Sequence, residues 1–174
     1  MKHSLNILVA VALIGLSSAA YAQNTSGPVT GYAYGTVIAG IALVETQDLS
    51  FGDFISSNAV GTVVVTNTGG FSYTGGVSTP GTQHPDGTPK QAIWDVTGQA
   101  SYKFDFTAPG VITYGASPAW PAGMTITLNS LAGANPYTLT AGDNYYGQGA
   151  TLHVPPNAPP GHYTASWVET VNYQ

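Results

Sequence analysis

From residue 23 onward, apolar and polar side chains alternate over short runs, and glycine or proline ends each run before a helical stripe can form. The clearest alternation sets Tyr102, Phe104 and Phe106 on one face against Lys103 and Asp105 on the other, which predicts a half-buried strand. Met124, Ile126 and Leu128 repeat the pattern with Thr125 and Thr127 outward. Further strands are expected over 37–45, 62–66, 71–77, 92–97, 137–140 and 150–154, where Val, Thr and Tyr dominate. In the last strand, one face reads Tyr163, Ala165, Trp167, Glu169, Val171, Tyr173. Glu169 breaks that apolar face. The expected remedy is a bulge near Trp167-Val168 that turns the carboxylate to solvent; left inside, it would have a raised pKa. Residues 78–91 hold mostly Pro, Gly, Thr and polar side chains and predict a long surface loop. Many short strands separated by turn residues predict an all-β sandwich or barrel.

The first 22 residues stand apart. Lys2 precedes an apolar run over 5–16, followed by Ala20-Tyr21-Ala22, the small-x-small pattern of a signal-peptide cleavage site. The run is too short for a membrane span, which takes about 20 residues. The expected organisation is a signal peptide over 1–22, an N-terminal extension over 23–36 and one β-sandwich domain over 37–174. Localisation follows as exported: periplasm, outer surface or extracellular. The chain has no cysteine, so packing and ladder hydrogen bonds must stabilise it without disulfides.

Charge is sparse. Beyond the leader, Lys90 and Lys103 face eight acidic residues, and arginine is absent. Such a surface is a poor partner for nucleic acid or anionic lipid, both of which need cations. It also repels copies of itself only weakly, which suits self-association.

No catalytic constellation stands out. His84, His153 and His162 lack a Gly-x-Ser-x-Gly elbow, and His153 and His162 are too far apart in sequence for a compact zinc motif. His84-Pro85-Asp86 and Asp143-Asn144 offer loop oxygens and nitrogens without a metal-binding frame, and are expected to be solvated loop residues. The acids sit mostly beside turn residues, where Asp is common. The expectation is therefore no enzyme, no cofactor and no metal. Trp120, flanked by Pro118 and Pro121, and Tyr145-Tyr146 are loop-like aromatics that could face a sugar ligand, although core or rim packing is the commoner use.

Leu49-Ser50-Phe51-Gly52 followed by Gly61-Thr62-Val63-Val64-Val65 resembles the opening of the bacterial "domain of unknown function 4402" family. Gly75-Gly76-Val77, Val96-Thr97-Gly98 and the 102–106 strand resemble its middle. Pro160-Gly161-His162-Tyr163-Thr164 through Val171-Asn172-Tyr173 resembles its ending, with Ala165 where the family often has Gly. The resemblance spans roughly 37–174 and implies an exported Ig-like antiparallel β-sandwich without assigned catalysis. The chain is also similar to chaperone–usher pilins, which end on an aromatic strand with a penultimate Tyr, here Tyr173. That similarity implies a pilin-like or fibre subunit assembling by strand addition, with a periplasmic chaperone and other surface subunits as partners. Val29, Tyr32 and Tyr34 on the extension, with Tyr163, Trp167, Val171 and Tyr173 on the last strand, are the candidate assembly residues. A self-complete sandwich stays open beside strand donation, as does a carbohydrate-binding or adhesive module.

Overall fold

A computed structural model describes residues 27–82, 87–107, 111–131 and 135–174. The expected signal peptide lies outside the described residues, as do His84 and Asp86. The chain divides between Thr36 and Val37. Residues 27–36 form no strand and are exposed throughout.

Residues 37–174 fold as a β-sandwich. Twelve strands run in chain order: β1 Ala42–Gln47, β2 Ile55–Val65, β3 Phe71–Ser78, β4 Ala92–Thr97, β5 Lys103–Thr107, β6 Thr113–Tyr114, β7 Thr125–Leu128, β8 Tyr137–Thr138, β9 Tyr145–Gln148, β10 Ala150–Val154, β11 Ala165–Ser166 and β12 Thr170–Tyr173. No helix occurs among the described residues, and every strand pairing is antiparallel. The sheets run β1-β4-β9, β3-β2-β10-β7 and β12-β5-β8, with a small β11-β6 pair.

Two apolar clusters fill the interior. In the first, Ala92, Trp94 and Val96 of β4 meet Phe104 and Phe106 of β5 and Leu139. Tyr137 and Tyr146 add rings, with centroids 5.0 Å apart. The second cluster gathers Val63, Val77, Met124, Leu152 and Val154, covered by Phe51, Phe54, Trp120 and Tyr163. Period-two alternation explains both: β4 and β10 each bury every second residue.

The sheets meet at Gly149. β9 ends beside β4, and one residue later β10 begins beside β2 and β7. A Cβ at Gly149 would collide with the Val65 carbonyl, so only glycine lets the chain cross from one sheet to the next. Asn67 Oδ1 accepts the Gly149 N–H at 2.8 Å, and Asn129 N–H donates to the Gly149 carbonyl at 2.9 Å.

Several expected boundaries move. The first strand starts at Ala42 rather than Val37, because Val37 is almost fully exposed and packs on nothing apolar. The short run at 62–66 is the end of the longer β2, whose residues 57–60 loop out opposite β3. The predicted continuous last strand is instead two pieces, β11 and β12. The 78–91 segment is not wholly a surface loop. Gly87 and Pro89 are buried, the Gly87 carbonyl accepts the Asp53 N–H, and Lys90 exchanges backbone bonds with Ser50.

Candidate functional site

The candidate assembly residues fall into two groups with different surroundings. At the N-terminal end, Val29, Tyr32, Tyr34 and Val37 are 77–99 % exposed. The Tyr32 and Tyr34 rings stack at 6.4 Å. Glycines at 31 and 35 and Ala33 leave the alternate side of this tail small.

At the C-terminal end, the aromatics are engaged within the domain. β12 pairs with β5 through Thr170↔Thr107, Val171↔Phe106, Asn172↔Asp105 and Tyr173↔Phe104. Val171 and Tyr173 thereby cover the first cluster. The Tyr173 hydroxyl donates to the Ala39 carbonyl at 3.0 Å and accepts the Gln99 N–H at 2.6 Å. A Cβ at Gly98 would strike that hydroxyl, so the latch requires glycine there. The tail is thus rooted at Ala39 by the penultimate side chain of the protein.

Trp167 packs edge-on against Trp94 at 6.4 Å. Tyr163 packs against Trp120 at 5.8 Å, and its hydroxyl donates to the Pro159 carbonyl. Sequence parity had set Tyr163 and Tyr173 on one strand face; the structure assigns them to different clusters.

Glu169 departs from expectation. It does not bulge to solvent but is only 9 % exposed. Its Oε1 accepts a 2.9 Å bond from Gln148 Nε2, while Gln148 Oε1 accepts the Trp94 indole N–H at 3.1 Å. The physical reason is Gln148, a buried amide that can bond both ways at once. It sits beside Gly149, where the sheets change over, and satisfies the carboxylate from another strand. The second oxygen, Glu169 Oε2, and the Trp167 indole nitrogen make no hydrogen bond of good geometry. Burial pushes the Glu169 carboxyl above the usual range, and the Gln148 and Trp167 N–H groups partly offset this.

The three proposed ligand-facing aromatics are not brought together. Trp120 is half-buried, donates its indole N–H to the Thr164 carbonyl at 2.7 Å and lies 4.6 Å from the Tyr114 ring. Tyr145 and Tyr146 belong to β9 rather than a loop. Tyr146 packs on Phe104 and Phe106 in the first cluster, so its face is occupied. Tyr145 is exposed, and its phenol is pushed up by the Asp143 charge and hydrogen bond, with slight burial and Asp95 adding.

Asn144 is spent on turn structure: its Oδ1 accepts from the Thr140 N–H and hydroxyl, and its Nδ2 donates to the Thr140 and Gly142 carbonyls. Glu45 has a raised pKa, from partial burial and then from Asp48. Among the described residues, no group of three or more His, Cys, Asp or Glu could hold a metal ion. Among them, too, no helix is long and apolar enough to cross a membrane.

Sequence inspection missed the Trp94–Gln148–Glu169 chain. Glu169 at an apolar parity was the available signal, but its partner lies on a different strand.

No curated protein and no solved structure matches the chain. One family model does match, over residues 41–173, and its description is Domain of unknown function (DUF4402). That stretch contains all twelve strands and both clusters. The chain therefore belongs to the DUF4402 family.

Proposed function

We propose that the protein is an exported, non-catalytic structural subunit of the bacterial surface that associates with copies of itself through its N-terminal tail. The observation that carries this is the tail: Val29, Tyr32, Tyr34 and Val37 are held in water, outside any strand. Large exposed apolar side chains in a contiguous stretch mark interaction sites. An extended segment adds readily to a sheet edge, with backbone hydrogen bonds supplying affinity and alternate side chains supplying register. The charge-poor composition supports the same reading, since few like charges oppose packing of copies. A segment of this kind would need shielding in transit, which is where a periplasmic chaperone and other surface subunits enter as partners.

The last strand plays a different part in this scheme. Pairing with β5 commits it within its own domain, so the tail is the donor. A sugar-binding role draws less support, because Trp120 and Tyr146 are occupied by packing and no second exposed plate accompanies Tyr145.

The test compares purified protein with a variant lacking residues 23–36, by negative-stain microscopy and size-exclusion chromatography. Filaments or oligomers are expected only with the tail, and the far-UV spectrum is expected to show the same β content in both. Equal assembly without the tail rules the proposal out.

A further inference from the structure

If the tail donates a strand, some edge must receive it, and the sheet edges differ sharply. Among the described residues, β1 lies against β12 across the side of the sandwich, and it carries Glu45 and a register shift between Glu45 and Gln47. Charge and irregularity are the usual guards of an edge. On the β7 edge, the Ile126 N–H is taken by the Tyr114 hydroxyl at 3.1 Å. β6, β8 and β11 are two residues long. At β9, a Cβ on Gly147 would meet the Asn67 carbonyl and the Gln91 amide, so other chain already covers that edge.

β3 is the exception. It has eight residues, no charge and no proline, and among the described strands it pairs only with β2. Its first half is regular, with Phe71↔Val65, Ser72↔Val64, Tyr73↔Val63 and Thr74↔Thr62. The Phe71 ring is 45 % exposed at this rim and lies edge-on to Tyr73 at 6.0 Å. On the opposite face, Ser72 and Thr74 begin two hydroxyl-bearing rungs that continue through Thr62 and Thr151 to Thr125 and Thr127. The Thr62 and Thr74 hydroxyls are 2.6 Å apart.

We propose that the outer edge of β3 is the acceptor, and that its occupant is residues 29–37 of a second copy. This rests on the self-association reading above. The two partners fit in length, since nine extended residues span about 30 Å and eight about 26 Å. They fit in charge, because neither carries any. They fit in pattern as well. Thr30, Tyr32, Tyr34 and Thr36 would extend the hydroxyl face, while Val29, Gly31, Ala33, Gly35 and Val37 would leave room for the Phe71 and Tyr73 rings.

The anchor decides between a chain's own tail and a neighbour's. Ala39 is held by Tyr173 beside Gly98 and Gln99, past the Thr97 end of β4. The opposite end of β4, Ala92, pairs with Gln148 at the junction, and β3 belongs to the sheet beyond it. With only Ile38 between Val37 and Ala39, the tail of one copy serves the next. Donor and acceptor are then different surfaces, a head-to-tail contact that propagates rather than closing a dimer.

The absence of cysteine allows a direct test. Purified Thr36→Cys or Thr30→Cys protein is mixed with Ser72→Cys protein under mild oxidation, with Val44→Cys on β1 as the control. A disulfide-linked heterodimer is expected with Ser72→Cys at least tenfold above the control. Separately, Ser72→Lys with Thr74→Lys is expected to reduce assembly at least tenfold with an unchanged melting temperature. Assembly that persists in the double-lysine variant, or that cross-links to Val44→Cys instead, overturns the β3 assignment and leaves self-association standing. No assembly of the unmutated protein overturns both.

Discussion

At the N-terminal end, Tyr32 and Tyr34 stand in water with their rings stacked, whereas at the C-terminal end Tyr173 lies over the first cluster with its hydroxyl bonded on both sides. Both segments alternate aromatic with small or polar residues, so composition does not separate them. What separates them is a neighbour. Residues 170–173 find β5 in register, and residues 27–36 find no strand in the domain. An aromatic in a strand-like pattern thus reports a need for a partner, and only topology decides whether that partner is internal.

The comparison can be broken most severely from the C-terminal side. Phe104, which pairs with Tyr173 and is fully buried, is expected to cost about 3–5 kcal/mol on substitution Phe104→Ala, read from urea unfolding. A loss below about 1 kcal/mol would mean that the first cluster does not depend on the strand covering it. Tyr173→Phe keeps the ring and removes both hydroxyl bonds. A loss of about 1–3 kcal/mol is expected, together with faster amide exchange at Gln99.

Glu169→Gln tests the interior of the same strand. Because burial raises the Glu169 pKa, the folded state holds the proton more tightly than the unfolded chain does. Stability of the unmutated protein should therefore rise, relative to the variant, as pH falls from neutral toward the ordinary carboxylate pKa. The variant should be the more stable at pH 7. Thermal melts of both proteins across that window check the sign, and a pH-independent difference would show that the carboxylate is not held against its preference. The smallest effect belongs to the tail: Tyr32→Ser with Tyr34→Ser should change unfolding free energy by less than about 0.5 kcal/mol, while assembly is lost.

The pattern of the sequence located strands best where alternation is complete within one strand. β4 and β10 fall at 92–97 and 150–154 as expected, and the face of Phe104 and Phe106 is buried. Errors came where the deciding contact is distant. β2 begins seven residues early because Ser56 and Asn157 tie its first half to the 155–158 loop, which no local pattern reveals. Tyr145-Tyr146 resembled a loop pair because the strand holding them is only four residues long and borrows its register from β4. Glu169 looked misplaced in its strand because the amide that accommodates it comes from β9. The exposed tail had its composition in plain view, but its lack of an internal partner became visible only in the structure.

The crossing at Gly149 has a consequence for how the domain melts. β9 and β10 are one ribbon shared by two sheets, and it supplies Tyr146 to one cluster and Leu152 and Val154 to the other. Loosening either half drags the ribbon from the other, so neither cluster can be lost alone. Calorimetry should record a single cooperative heat-absorption peak whose van't Hoff and measured enthalpies agree.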